Sequence, residues 1–210
     1  MKYFNSLPLI PTVDQYGNVN LLTNLLVRTQ LIPKLANNPL VFYSYPTQEG
    51  DTPDSIANKY YGDAYRYWIV LYGNPQIVDP QSDWPLSSNQ FLVYLKDKYA
   101  TAANGASNVV SYTQATPYEY QKVITTVDST TQTTAIKTVV IDSNTYNTLV
   151  ASTTKQTFAD GSYVTYTTSK NVLSIYDYEL QQNEDKRNIN LINSNYASDM
   201  EIQYKTLVSA

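Results

Sequence analysis

Gly50-Asp51-Thr52-Pro53-Asp54-Ser55-Ile56-Ala57-Asn58-Lys59-Tyr60-Tyr61-Gly62, followed by Trp68-Ile69-Val70-Leu71 and Asn74, carries a full set of helix punctuation. Thr52 is placed to cap a helix by accepting a bond from a free main-chain N–H. Pro53 suits the first helical position, where a missing N–H costs nothing. Asp54 falls in the first turn, where the helix dipole favours an anion. Ile56, Ala57 and Tyr60 share a face at helical spacing. Gly62 is placed to stop the helix in a left-handed conformation. A second short helix over 65–72 would pack Trp68 and Leu71 against the first. Trp68 is therefore expected to be buried between the two helices.

The same letters in the same order resemble the LysM module: G-D-T, then I-A, then Y-Y-G, then an apolar helix ending near Asn. The resemblance rests on Gly50, Asp51, Thr52, Pro53, Ile56, Ala57, Tyr60, Tyr61, Gly62, Trp68 and Asn74. Flanking strings extend it. Upstream are Asn24-Leu25-Leu26-Val27-Arg28 and 37–45; downstream are Asp79-Pro80, Asp83-Trp84-Pro85-Leu86-Ser87 and Lys98-Tyr99. Near the C-terminus come Tyr178-Glu179, Asn183-Glu184-Asp185-Lys186-Arg187 and Ile189. This ordered set, over roughly residues 1–100 and 172–208, is similar to the LysM-containing baseplate wedge protein of T-even-type contractile-tailed phages, the product of gene fifty-three. The resemblance implies a structural subunit of the inner baseplate in the virion tail, assembled in the host cytoplasm. It would contact other wedge subunits and the small wedge protein from which the sheath starts. It implies no cofactor, no small-molecule substrate and no catalytic activity. Asp83, Trp84, Pro85, Asn183, Glu184, Lys186 and Arg187 become candidates for contact with partners.

Composition points the same way. Charged residues are only 15% of the 210, against a usual quarter or so, and tyrosine alone supplies 21. Tyrosine serves interfaces and strands alike. A net charge of −4 and a pI near 4.7 argue against a nucleic-acid backbone as ligand. Cysteine and histidine are both absent, which removes disulfides, Cys/His zinc sites and histidine acid–base chemistry. Only carboxylates remain for catalysis. Glu49, Asp51 and Asp54 cluster near the first helix, but a turn carboxylate and a helix-start carboxylate explain them without a glycosidase pair. No leader and no apolar run long enough to cross a membrane is expected.

Four segments are expected in an α+β chain. Residues 1–40 read as an extended arm with a turn at Tyr16-Gly17-Asn18; 21–28 reads as a short strand or a helical turn, limited by Pro33. The arm would wrap a neighbour or close its own core. Residues 41–100 form a modified LysM-like module, a strand at 41–47 plus the helix pair. The closing strand of a LysM module is not found after the helices. Ser87-Ser88-Asn89-Gln90 there opens an amphipathic helix carrying Phe91, Leu92, Leu95 and Tyr99. Without that strand the wall-sugar groove is incomplete, so protein contact is the leading function and peptidoglycan or chitin binding the alternative. Residues 101–171 read as a Thr-rich β-hairpin insertion, with a strand at 136–141 and a two-residue Asp160-Gly161 turn. Residues 172–210 read as extended over 172–178 and 187–192. A final helix would follow, with Ala197, Met200, Tyr204 and Leu207 on one face, docked on this chain or on another subunit. The 41–100 module should fold without residues 183–210.

Overall fold

The computed structural model describes residues 2–27, 29–31 and 37–208. The readings that fall on Arg28 and Pro33 lie outside the described residues. The elements in order are a 3-10 turn Tyr3–Ser6, β1 (Leu9–Val13), β2 (Val19–Thr23), a 3-10 turn Pro39–Val41 and β3 (Phe42–Pro46). Next come α1 (Pro53–Tyr61), a 3-10 turn Ala64–Arg66, α2 (Tyr67–Tyr72), α3 (Ser88–Tyr99), a 3-10 turn Ala106–Asn108 and α4 (Val109–Ala115). The chain continues through β4 (Pro117–Asp128), β5 (Thr134–Ile141), α5 (Ser143–Thr148), β6 (Ser152–Thr157) and β7 (Tyr163–Ser174). It ends with α6 (Ile175–Asp185), β8 (Asn188–Ile192), a 3-10 turn Ser194–Tyr196 and α7 (Ala197–Val208). The class is α+β, as the sequence indicates. No helix among the described residues is long and apolar enough to cross a membrane.

Contacts divide the chain into two compact units, 1–87 with 184–210, and 88–183. These cuts differ from the sequence boundaries. Helix α3, read as part of the 41–100 segment, groups with the 88–183 unit.

In the first unit β3 pairs antiparallel with β8, from Phe42 opposite Ile192 to Pro46 opposite Asn188. The ladder runs on at both ends, where Thr47 N–H donates to Arg187 O at 2.8 Å and Asn193 N–H to Val41 O at 2.8 Å. The unit thus contains a strand–helix–helix–strand series, β3-α1-α2-β8, whose last strand is far from the first three elements in sequence. That strand arrives after the whole second unit. Antiparallel pairing needs no closeness in sequence, and loop-closure cost grows only with the logarithm of the excursion. Ile56, Ala57, Tyr61, Trp68, Ile69 and Val70 from the helices bury against Ile189, Leu191 and Ile192 of β8. Trp68 is buried as expected, but the rings that flank it are Tyr3, Tyr72 and Tyr204, at 5.8, 5.3 and 5.1 Å between centroids. The N-terminal turn and α7 therefore close this core. On α7, Ala197, Tyr204 and Val208 are buried and Met200 packs beside them, whereas Leu207 faces solvent. The buried face turns through Val208 instead of Leu207.

The residues after Ser174 are helical, where an extended run over 172–178 was expected. Ser174 Oγ accepts the Asp177 N–H at 3.0 Å and bonds the Asp177 carboxylate at 2.7 Å. This local cap outweighs the β-leaning Val172-Leu173 and Ile175-Tyr176.

The β1–β2 segment is a hairpin, so Leu21 and Leu22 lie in a strand. The second unit holds a sheet of order β5-β4-β7-β6. Its Asp160-Gly161 turn is a three-residue loop, not a two-residue one. Phe158 N–H donates to Ser162 O and Gly161 N–H returns to Phe158 O, with Gly161 at φ +83°. The first hairpin repeats this pattern with Asp14, Asn18 and Gly17 at φ +85°. A type I turn followed by a left-handed glycine explains both. Strands β5 and β6 lie almost wholly exposed, and the unit's buried apolar side chains are few: Phe91, Leu95, Ala103 and Val109.

Candidate functional site

Asp51 is the centre of a corner built from three distant pieces of chain. Gly50 precedes it at φ +80°, a left-handed conformation that an L side chain resists. The Asp51 carboxylate accepts bonds from the Gln48 N–H and the Tyr45 hydroxyl, each at 2.9 Å, and from Lys59 Nζ at 2.6 Å. Its carbonyl accepts Trp84 Nε1–H at 2.7 Å. The Asp51 side chain is 4% exposed and that of Lys59 60%. Burial pushes the Asp51 carboxyl up; the bonds from Lys59, Gln48 and Tyr45 outweigh it and hold the group below the ordinary carboxylate range. Thr52 and Ser55 then form a reciprocal cap, Thr52 N–H to Ser55 Oγ at 2.9 Å and Ser55 N–H to Thr52 Oγ1 at 3.4 Å. Pro53 follows at the start of α1, and Gly62 ends it at φ +73°.

The Asp83-Trp84-Pro85 string and the Glu184–Arg187 string meet here. Asp83 caps its own loop, accepting the Val78 and Asp79 N–H groups at 2.9 Å each. These main-chain bonds hold its carboxyl below the usual range, helped by the Lys186 charge. Trp84 and Pro85 are buried. Lys186 Nζ donates to Ser82 O at 2.9 Å, tying the loop to the residues entering β8. Arg187 Nε bonds Glu184 Oε2 at 2.6 Å, with the two side chains 21% and 48% exposed. Trp84, Asp83 and Lys186 therefore serve the fold of this unit first, where they were candidates for partner contact. Asn183 is buried near the end of α6.

The remaining motif residues lie on the core side. Tyr61 donates its hydroxyl to Ile192 O at 2.7 Å. Tyr60 stands half-buried, stacked on Tyr43 at 6.1 Å and edge-on to Tyr61 at 4.9 Å. Asn74 is fully buried; its Nδ2 donates to Val70 O and Asn190 O and its Oδ1 accepts Asn190 N–H, all at 2.8 Å. Tyr43, Tyr45, Ile56, Lys59 and Tyr60 line an open hollow of about 310 Å³.

Two features escaped the sequence reading. The carboxamide of Asn74 was placed at a helix end, but its partner strand was not foreseen. In the second unit, Glu179 gathers Lys98 Nζ at 2.8 Å and the hydroxyls of Tyr99 and Tyr94 at 2.6 and 2.8 Å. Tyr94 and Lys98 are spaced i, i+4 on α3, which is the one local signal. Chemically, Asp51 and Glu179 are saturated by fixed donors, an arrangement that holds structure. Among the described residues no cluster of Asp and Glu is arranged to hold a metal ion. No family model matches the chain, and no curated protein matches it at a significant level.

Proposed function

We propose that the chain is a structural subunit of a contractile phage tail baseplate, with a LysM-like module repurposed to join wedge subunits around the hub. The observation that carries the reading is the Asp51 corner. Two of the strings that carry the baseplate resemblance, 83–85 and 184–187, stand about a hundred residues apart and come together: Trp84 bonds Asp51 of the G-D-T turn, and Lys186 bonds Ser82 beside Asp83. Chance similarity gives no reason for them to share one corner. Glu184 and Arg187 remain partly exposed there and would present charge to a neighbouring wedge subunit or to the small sheath-initiating protein. The work would be mechanical: moderate contacts at each wedge, made strong by ring closure. No catalysis, cofactor, nucleic acid or membrane enters this reading.

One observation favours the alternative, a module that binds peptidoglycan or chitin. Strand β8 completes the strand–helix–helix–strand order that such modules use, so the objection of a missing strand falls away. Co-expression with the neighbouring baseplate gene products, followed by purification on a tagged partner, tests the first reading; failure of the full-length chain to co-purify with any of them ends it. Saturable binding to insoluble cell wall that is lost on changing residues 50–54 would put the alternative in its place.

A further inference from the structure

The β1–β2 hairpin has unlike edges. Asn24 N–H donates to Pro8 O at 2.8 Å and Asp14 N–H to Asn18 O at 3.0 Å. Antiparallel pairs alternate, so Ile10/Leu22 and Thr12/Asn20 bond inward, while Leu9, Pro11, Val13, Val19, Leu21 and Thr23 direct their main chain outward. On β1 the central outward residue is Pro11, which has no N–H and blunts that edge. On β2 the outward N–H and C=O groups of Val19, Leu21 and Thr23 have no ladder partner among the described residues. That strand carries no charge and no proline to guard it. The same outward set puts Leu9, Val13, Val19 and Leu21 on one face, each more than half exposed. A lone two-stranded hairpin is marginal in water, and a wider sheet with an apolar face is what stabilises it.

We infer that β2 is a strand-addition edge for a second copy of this chain, paired antiparallel across a two-fold axis through Leu21. The outward groups are symmetric about that residue. Val19 would face Thr23 of the second copy and Leu21 its own image, each pair exchanging N–H···O=C bonds in both directions. A two-fold axis normal to the sheet keeps both apolar faces on one side, giving a continuous sheet of order β1-β2-β2-β1. Both outer edges are then β1, each blunted by Pro11, so growth stops at two copies. A strand from another protein would satisfy the same row of donors and acceptors. A second copy leaves only β1 edges free, each blunted by Pro11, whereas a strand from another protein would bring an outer edge of its own to be guarded.

The chain lacks cysteine, so one introduced thiol reports cleanly. Facing residues in a bonded antiparallel pair lie about 5.5 Å apart at Cα. That separation is within the disulfide range of about 4.4–6.8 Å. Leu21→Cys should therefore cross-link under mild oxidation and Val13→Cys, equally exposed on the blunted strand, should not. Leu21→Pro removes an N–H that the β1–β2 ladder does not use, and Pro11 directly opposite shows that the hairpin accepts proline there. By sedimentation the unaltered chain should show a concentration-dependent dimer. Leu21→Pro should be monomeric with an unchanged circular-dichroism spectrum, and Pro11→Ala should form species larger than a dimer. A monomer at every concentration overturns the inference, as does a dimer that survives Leu21→Pro. So does a β2 edge that captures a co-expressed baseplate protein, lost in Leu21→Pro, while the chain alone stays monomeric.

Discussion

The side chain of Asn74 reads the main chain of Asn190 as a neighbouring strand would, giving its Nδ2–H to the carbonyl and taking the N–H on Oδ1, both at 2.8 Å. A second Nδ2 bond to Val70 O at 2.8 Å ties the same carboxamide to the end of α2. One side chain thus fastens the helix pair to a strand that lies 116 positions on. Asn74→Ala removes the carboxamide and leaves the Asn190 N–H and C=O and the Val70 C=O without it. Each unsatisfied buried group costs about 1–3 kcal/mol, so urea unfolding should show a loss of at least about 2 kcal/mol.

Gly73, the preceding residue, is glycine for closeness and not for conformation. Its φ is an ordinary −69°. A Cβ there would stand 2.6 Å from Asn190 O, a main-chain atom that cannot swing away. Gly73→Ala should destabilise by about 1–3 kcal/mol, as overpacking does. The same substitution at an exposed helical glycine would be stabilising. The sign of the measured change separates the two.

What was legible in the sequence was what chain neighbours decide. The Thr52 cap, Pro53 at the helix start and the Gly62 stop depend on residues within a few positions and stand as read; the burial of Ile56, Ala57 and Trp68 also stands, but β8, Tyr3 and Tyr204 complete it from far along the chain. The helix at 175–185 was missed although Ser174-Ile175-Tyr176-Asp177 spells a cap, because the aromatic and β-branched residues around it suggested a strand. Residues 187–192 were read as extended, and β8 bears this out, but its pairing was missed for a different reason. Ile189 and Leu191 alternate with Asn188 and Asn190 as a half-buried strand should, but nothing local says that their partner is Phe42–Pro46. The site was half legible. Asp83, Trp84, Lys186 and Arg187 were read as candidates for partner contact, and the bonds that Trp84 makes to Asp51 O and Lys186 to Ser82 O are products of the fold that no local pattern announces.

The two tryptophans should respond differently to the same change. Trp84 Nε1–H serves Asp51 O, whereas Trp68 Nε1 has no hydrogen-bond partner among the described residues. Trp84→Phe strands a carbonyl beneath the G-D-T turn and should cost about 1–3 kcal/mol from that loss alone. Trp68→Phe removes no hydrogen bond and loses only packing. Trp68→Ala empties the aromatic cluster and should cost about 3–5 kcal/mol. Denaturant titration of the three variants checks the order.

Acid should weaken both units, and in each one buried, well-bonded carboxylate should contribute to the loss. Burial raises the Glu179 carboxyl, but the bonds from Lys98, Tyr99 and Tyr94 outweigh it and leave the group below its ordinary value. Asp51 is depressed in the same way. A carboxylate depressed in the folded state contributes stability that is fully present above its unfolded pKa, about 4 for these groups, and is lost as pH falls through the lower folded value. Unfolding followed from pH 7 downward should therefore steepen below about pH 4. Glu179→Gln and Asp51→Asn should each flatten that limb while lowering stability at neutral pH. An acid limb unchanged in both variants would show that other groups govern it.

Removing residues 184–210 should unfold the first unit, contrary to the expectation from sequence that the 41–100 segment folds without them. The deletion takes Ile189, Leu191, Ile192, Ala197, Tyr204 and Val208 out of the core. Burying each large apolar side chain contributes about 1.5–3 kcal/mol. For the five large ones that is about 8–15 kcal/mol, as much as the whole margin of about 5–15 kcal/mol by which a domain stays folded, and Asn74 and Tyr61 lose their partners as well. The sheet of the 88–183 unit uses none of these residues, so hydrogen exchange should find β4 and β7 protected and α1 and α2 unprotected. Arg187→Ala is the contrasting variant. It removes an ion pair with a half-exposed Glu184, worth about 0–1 kcal/mol, and should leave both units folded. If Arg187 faces a wedge neighbour, this variant should fold normally and fail to co-purify with the baseplate partners that retain the unaltered chain. Co-purification at the unaltered level would confine Arg187 to its bond with Glu184 and leave the joining contact to other residues of the corner or to the N-terminal arm.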